Sequence, residues 1–180
     1  MIITETALSG LYTLEPTVFQ DQRGYFFESY NQEKFRQEGL DLTFVQDNQS
    51  KSQKGVLRGL HFQNPPFSQG KLVQVIKGAV LDVAVDIRKN SPTYGQHIAL
   101  ELSEENKLML YISEGFAHGF LTLRDETIFS YKCTNFYSPA HESALRWDDE
   151  LLNINWNVTN PIVSEKDQKA TKFAEFRSQF

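Results

Sequence analysis

A chain of 180 residues, 40% hydrophobic and 23% charged, is long enough to build one sizeable core and too apolar for a disordered or collagen-like polymer. Eighteen basic against 23 acidic side chains leave a net charge of −5, which excludes a global positive field for nucleic acid and leaves any anionic ligand to a local cluster of Arg and Lys. The single cysteine, Cys133, excludes an intramolecular disulfide and fits a reducing cytosol.

The opening MIITETALSGLYTLEP lacks a basic start followed by an apolar core, so it does not read as a signal peptide. No apolar run approaches the roughly 20 residues that span a bilayer; the longest, residues 79–87, is interrupted by Asp82 and Asp86. The expectation is a soluble cytoplasmic protein with neither membrane nor nucleic acid as partner.

Short β-like runs bounded by turn chemistry recur at residues 24–30, 43–49, 55–63, 71–77, 79–87, 96–102, 107–112, 118–123 and 127–134. Helical pattern is sparse. One helix is predicted over residues 31–38, ended by Gly39, which suits the left-handed position after a helix. A second is predicted over 164–176, with Phe173 and Phe176 on one face. Many strands and little helix predict an all-β sandwich, jelly roll or barrel. No repeat or linker divides the chain, so residues 1–180 are read as a single domain.

In residues 80–87, Leu81, Val83, Val85 and Ile87 alternate with Val80, Asp82, Ala84 and Asp86. One face is wholly apolar and the other small or acidic. Such a strand either lies at the surface with a solvated face or turns its polar face into a wet cavity.

Candidate chemistry is limited by what is missing. The four histidines are His61, His97, His118 and His141, and GLHFQ puts Gln63 where an H-x-H metal pair would have its second imidazole. No H-E-x-x-H, nucleophile elbow, P-loop or G-x-G-x-x-G occurs, so no metal is expected. A basic and aromatic constellation is present instead: Arg23, Phe26 and Glu28 in RGYFFES, Gln46, Asp47 and Asn48 in VQDNQS, Arg58 and His61 in VLRGLHFQ, and Lys71 in KLVQVIKG. Guanidinium and ammonium groups suit phosphate oxygens, a phenyl ring offers a stacking face, and amides read ring edges. The set points to an anionic, ring-bearing ligand.

The strings RGYFFESYN, FVQDNQSKSQKGVLRGLHFQ, GKLVQVIKGAVLDVAVDIRKNSPTYG, EGFAHGFLTL, YKCTNFYSP and SEKDQKA resemble, in order and over nearly the whole chain, the dTDP-4-dehydrorhamnose 3,5-epimerase family. One local departure is Ser113, where the family usually shows proline. The resemblance implies an all-β, cupin-type double-sheet jelly roll with a few short peripheral helices, a dTDP-sugar substrate and no cofactor. It also implies a homodimer with exchanged N-terminal strands, in which Arg23 acts across to the partner.

By the same resemblance His61 is the base that removes protons beside the C4 ketone of a 4-keto-6-deoxy sugar. Tyr131 is the acid on the opposite face, Lys71 steadies the enolate oxygen and Asp167 orients His61. Arg23 and Arg58 fall to the diphosphate, and Glu28, Gln46, Asp47 and Asn48 to the thymidine region with Phe26 stacking. His118, Glu142 and Lys166 are further ligand positions.

The residues themselves leave alternatives open. Ser164-x-x-Asp167 is also a capping-box-like pattern, and Asp82 is a second candidate partner for His61. Tyr131 shares a face with Thr127, Phe129 and Cys133, which also suits barrel filling. Arg58 and His61, three apart, point to opposite sides of a regular strand unless Gly59 marks a bulge. Rival functions are single epimerisation at C3 or C5, a non-catalytic sugar-nucleotide-binding jelly roll and, most distantly, a metal-dependent cupin oxygenase.

Overall fold

The computed structural model describes residues 1–180. In chain order the strands are β1 (Ile2–Glu5), β2 (Leu11–Glu15), β3 (Phe19–Asp21), β4 (Gly24–Phe26), β5 (Gln46–Ser52), β6 (Val56–Gln63) and β7 (Lys71–Lys77). They continue with β8 (Ala79–Asp86), β9 (His97–Ser103), β10 (Met109–Ile112), β11 (Phe116–Thr122), β12 (Thr127–Cys133), β13 (Glu142–Ala144) and β14 (Ile162–Val163). Two short helices, α1 (Gln32–Gln37) and α2 (Glu165–Gln168), sit at the periphery, with one 3₁₀ turn at Phe173–Glu175.

The long strands form two sheets. One runs β1-β2-β10-β7-β12-β5 and the other β13-β6-β11-β8-β9, with β14 pairing in parallel to the start of β6. The hairpin β3-β4 stands apart from both. Between the sheets, Val73 and Val75 of β7 and Phe129 of β12 meet Val80 and Ala84 of β8 and Phe116 and Phe120 of β11.

The period of two then sends intervening residues outward. Leu57, Leu60 and Phe62 of β6, with Val83, Val85, Ala117 and Leu121, pack under Leu145, Leu152, Trp156 and the half-buried Phe173, Phe176 and Phe180. The C-terminal segment therefore roofs the outer face of the second sheet. This explains why β8 is buried on both sides. Asp82 and Asp86 are fully buried, so the solvated-surface reading of this strand is overturned. On the first sheet, Leu14, Leu72, Met109 and Tyr111 are covered by Phe35 of α1 and by Leu40. Burial of each large apolar side chain contributes about 1.5–3 kcal/mol.

The helix predicted over residues 31–38 is α1. Asn31 accepts from the N–H groups of Glu33 and Lys34, and Gly39 has φ +87°. The predicted helix over 164–176 is corrected to one turn, α2, followed by extended chain. Thr171 donates its N–H to Ala144 O and accepts from Arg146 N–H; this sheet-like pairing displaces helix after Lys169. Two strand positions also shift. The run 24–30 contracts to β4, and the run 43–49 becomes Gln46–Ser52. β1, β2 and β3 were not foreseen, because short strands of mixed Thr, Glu and Gln carry little periodic signal.

Candidate active site

A cavity of about 160 Å³ opens between the sheets, lined by Arg58 and His61 of β6, Lys71 of β7, His118 of β11, and Phe129 and Tyr131 of β12, among others. The route by which Arg58 and His61 both reach it is a bulge. In the β6–β11 pairing His61 faces His118 and Arg58 faces Phe120, so three residues of β6 span two of β11. The extra residue restores a common direction. Gly59 occupies it at φ +136°, and a Cβ there would stand 2.5 Å from Gly119 Cα. No other residue fits this close approach.

His61 Nε2 lies 2.7 Å from Asp167 Oδ1. An ionised carboxylate only accepts, so Nε2 is the donor of this bond. The imidazole is 32% exposed, whereas Asp167 is buried. Burial alone would raise the Asp167 pKa, but the hydrogen bond and charge of His61 and the Gly59 N–H hold it below the usual value. Asp167 N–H also donates to Ser164 Oγ at 3.1 Å. The residue thus serves both the cap, through its backbone, and His61, through its side chain. The Ser164 hydroxyl also helps to lower the Asp167 pKa, but its backbone N–H makes no bond to the carboxylate, so the pattern is not a reciprocal capping box.

Asp82 does not partner His61. Both its oxygens approach His118 Nε2, at 2.9 and 3.1 Å, which gives the second sheet two separate imidazole–carboxylate pairs.

On the facing wall, Lys71 and Tyr131 lie on adjacent strands, with Lys71 opposite Cys133 and Tyr131 opposite Val73. Desolvation pushes the Lys71 pKa below the ordinary lysine value, against the opposing pull of Cys133, Asp82 and Glu142. Burial raises the Tyr131 pKa, which the charge of Arg58 partly offsets. Its phenol therefore stays protonated at neutral pH. Cys133, buried and given no role from the sequence, accepts a 3.5 Å contact from Asn48 Nδ2.

The remaining expected residues divide. Gln46 and Asn48 share the half-buried face of β5, and Gln46 Nε2 donates to Asn48 Oδ1 at 3.0 Å. Glu142 and Lys166 form an ion pair at 2.5 Å, and Glu142 also accepts from Tyr137 OH at 2.8 Å. Hydrogen bonds from Lys166 and Tyr137 hold the Glu142 pKa below its usual value against burial, with a smaller contribution from His61; Glu142 lies on β13 opposite Gln63, two residues from His61.

Asp47 stands apart from them: the alternation of β5 turns it outward, where it pairs with Lys132 at 3.0 Å. Arg23 and Phe26 do not line the cavity of their own chain. Arg23 is 90% exposed and bound to Asp21, and Phe26 is 68% exposed on the same hairpin. Glu28 pairs with Lys34 at 2.8 Å. Reading the sequence missed Gln49, Ser50, Gly119, Phe120 and Phe129 in the lining. The inward alternation of β5 and β12 carries the signal for Ser50 and Phe129.

Two antiparallel sheets closing on a polar cavity define a cupin-type jelly roll. The dTDP-4-dehydrorhamnose 3,5-epimerase family model matches residues 5–175. A dTDP-4-dehydrorhamnose 3,5-epimerase of Salmonella typhimurium is 55% identical over 172 residues, covering 94% of each chain. The crystal structure of the enzyme of that name from Elizabethkingia anophelis superposes with a TM-score of 0.93 at 50% identity, covering 97% of both chains. That of dTDP-6-deoxy-D-glucose-3,5-epimerase from Legionella pneumophila, in complex with dTDP-4-keto-L-rhamnose, gives 0.91 at 45% identity, covering 95% of this chain and 92% of the other. The chain belongs to the dTDP-4-dehydrorhamnose 3,5-epimerase family.

Proposed function

We propose that the chain inverts C3 and C5 of dTDP-4-dehydro-6-deoxy-D-glucose, giving dTDP-4-dehydro-L-rhamnose without a cofactor. The observation that carries this reading is the opposition of the His61–Asp167 pair on one sheet to Tyr131 and Lys71 on the other, across a single cavity. The C4 ketone acidifies the C–H bonds on either side of it. His61 Nδ1 takes one of these protons, and the electron pair moves onto the ketone oxygen as an enolate. The Lys71 ammonium stabilises that oxygen. Tyr131 then returns a proton to carbon from the opposite face, and solvent resets the imidazolium and the phenolate. The same cycle at the second carbon completes the double inversion.

At about 160 Å³ the cavity falls below the roughly 300–1,000 Å³ usual for small-molecule sites, so it takes the sugar end only. The diphosphate is assigned to Arg58 at its mouth, and the thymidine to Gln46 and Asn48, with Glu142, Lys166 and His118 as supporting positions. Arg23, Phe26 and Glu28 complete the site from a second copy. The exposed β3-β4 hairpin, with Phe19, Tyr25 and Phe26 open to solvent, supports a homodimer that exchanges N-terminal strands.

The test is incubation with dTDP-4-dehydro-6-deoxy-D-glucose in deuterated water, followed by mass spectrometry and NMR. Deuterium is expected at both C3 and C5, and almost none with His61→Ala. Label at one carbon alone would replace this reading with single epimerisation, and label at neither would leave a binding module.

A further inference from the structure

Gln63 stands two residues after His61, where a metal-binding H-x-H pair would have its second imidazole. Its side chain is buried and makes three contacts, all to backbone. Nε2 donates to Phe67 O at 2.5 Å and to Phe136 O at 3.2 Å, and Oε1 accepts from Ser138 N–H at 2.8 Å. A single amide thereby ties β6 to the turn after it and to both flanks of Tyr137.

Neighbouring bonds complete the clamp. Gln69 Nε2 donates to Asn135 O at 2.7 Å, and Gly70 N–H to Thr134 Oγ1 at 2.8 Å. Tyr137 itself is held at its N–H by Gln46 Oε1 at 2.9 Å and at its hydroxyl by Glu142. Tyr137 remains exposed, while its backbone N–H and its hydroxyl are both tied.

We propose that Gln63 is a positioning residue for nucleotide affinity, acting through Tyr137, and that it takes no part in proton transfer. The chemistry selects an amide. Two donors and one acceptor are needed at once on three backbone groups, and neither the imidazole of a metal site nor a carboxylate supplies that set. Tyr137 then presents an aromatic face beside Gln46, to the base of a nucleoside diphosphate. The proposal rests on the reading that the thymidine end lies along Gln46.

The test pairs dTDP binding, by calorimetry, with steady-state kinetics and deuterium exchange. Gln63→Leu and the near-isosteric Gln63→Glu are each expected to weaken dTDP binding and raise KM by about tenfold, leaving the exchange kcat within about threefold. The double variant Gln63→Leu/Tyr137→Ala is expected to bind dTDP no more than about twofold worse than Tyr137→Ala alone. A fall in kcat with KM unchanged, or fully multiplying losses in the double variant, would overturn the proposal. Gln63→Glu keeps the test decisive if the Leu variant does not fold, because its shape is preserved. Gln46→Ala separates the two levels. If it leaves dTDP binding intact, the underlying assignment of the thymidine end fails; if it weakens binding and neither Gln63 variant does, only the role of Gln63 fails.

Discussion

Asp167 and His61 are separated by 106 positions in the chain and by 2.7 Å between Oδ1 and Nε2. One arrives on a single helical turn, the other on the bulged strand β6. The backbone N–H of the same aspartate is capped by Ser164, so two separable jobs meet at one residue.

Substitution should separate them. Asp167→Asn keeps the shape and the cap but gives His61 a neutral partner, and exchange at both carbons is expected to fall by at least about 100-fold. Ser164→Ala removes the cap alone, and should cost about 1 kcal/mol of stability while exchange persists. Urea unfolding and deuterium incorporation on the same samples check both. Equal loss of exchange in the two variants would reduce Asp167 to a structural residue.

In the proposed mechanism Tyr131→Phe removes the acid but leaves the base. Net inversion should fall by about 100-fold and solvent exchange by less than about tenfold, as read by NMR of the product and of the recovered substrate. Parallel loss of both would move the acid elsewhere.

Asp86 controls the low-pH edge of stability. Burial would raise its pKa, but hydrogen bonds from Arg88, Ser91 and Thr93 bring it down to about 2 from 3.8. A depressed carboxyl contributes stability that is fully present above the unfolded value, near pH 4, and is lost as pH falls through about 2. Here it is worth about 2 kcal/mol. Asp86→Asn should therefore unfold at lower urea concentration than the native chain at pH 6, and the gap should narrow by pH 2.5. A gap independent of pH would contradict the assignment.

On the proposed exchange of the β3-β4 hairpin, Arg23 belongs to its neighbour's site. Arg23→Ala and His61→Ala chains, each nearly inactive alone, are expected to recover about a quarter of native activity after joint unfolding and refolding, since half the dimers are mixed and each has one intact site. Sedimentation should report a dimer. No recovery on mixing would return Arg23 to its own chain.

The sequence made the framework readable and obscured the parts bent to serve the cavity. Residues 71–77 form β7 at the expected bounds because Leu72, Val73 and Val75 are buried on both faces. In β5 the usual pattern fails. Gln46, Asn48, Ser50 and Ser52 turn inward, so the sheltered face is the polar one, and the apolar Phe44 and Val45 drew the expected strand too early. The C-terminal stretch failed for another reason. Phe173 and Phe176 do lie together under the second sheet, but tertiary pairing at Thr171 outweighed local helical preference. His61, Tyr131, Lys71, Asp167 and Arg58 were legible as residue types. Which histidine Asp82 serves was not, because that depends on sheet order, and neither was the outward turn of Asp47, because it depends on register.

The roof over the second sheet also sets a schedule. Asp167 belongs to the part of the chain synthesised after both sheets, so a growing polypeptide can lay down its strands before the imidazole of His61 gains a partner. In the proposed mechanism, His61 gains its carboxylate partner only once α2 has docked, after the strands that frame the cavity are already made.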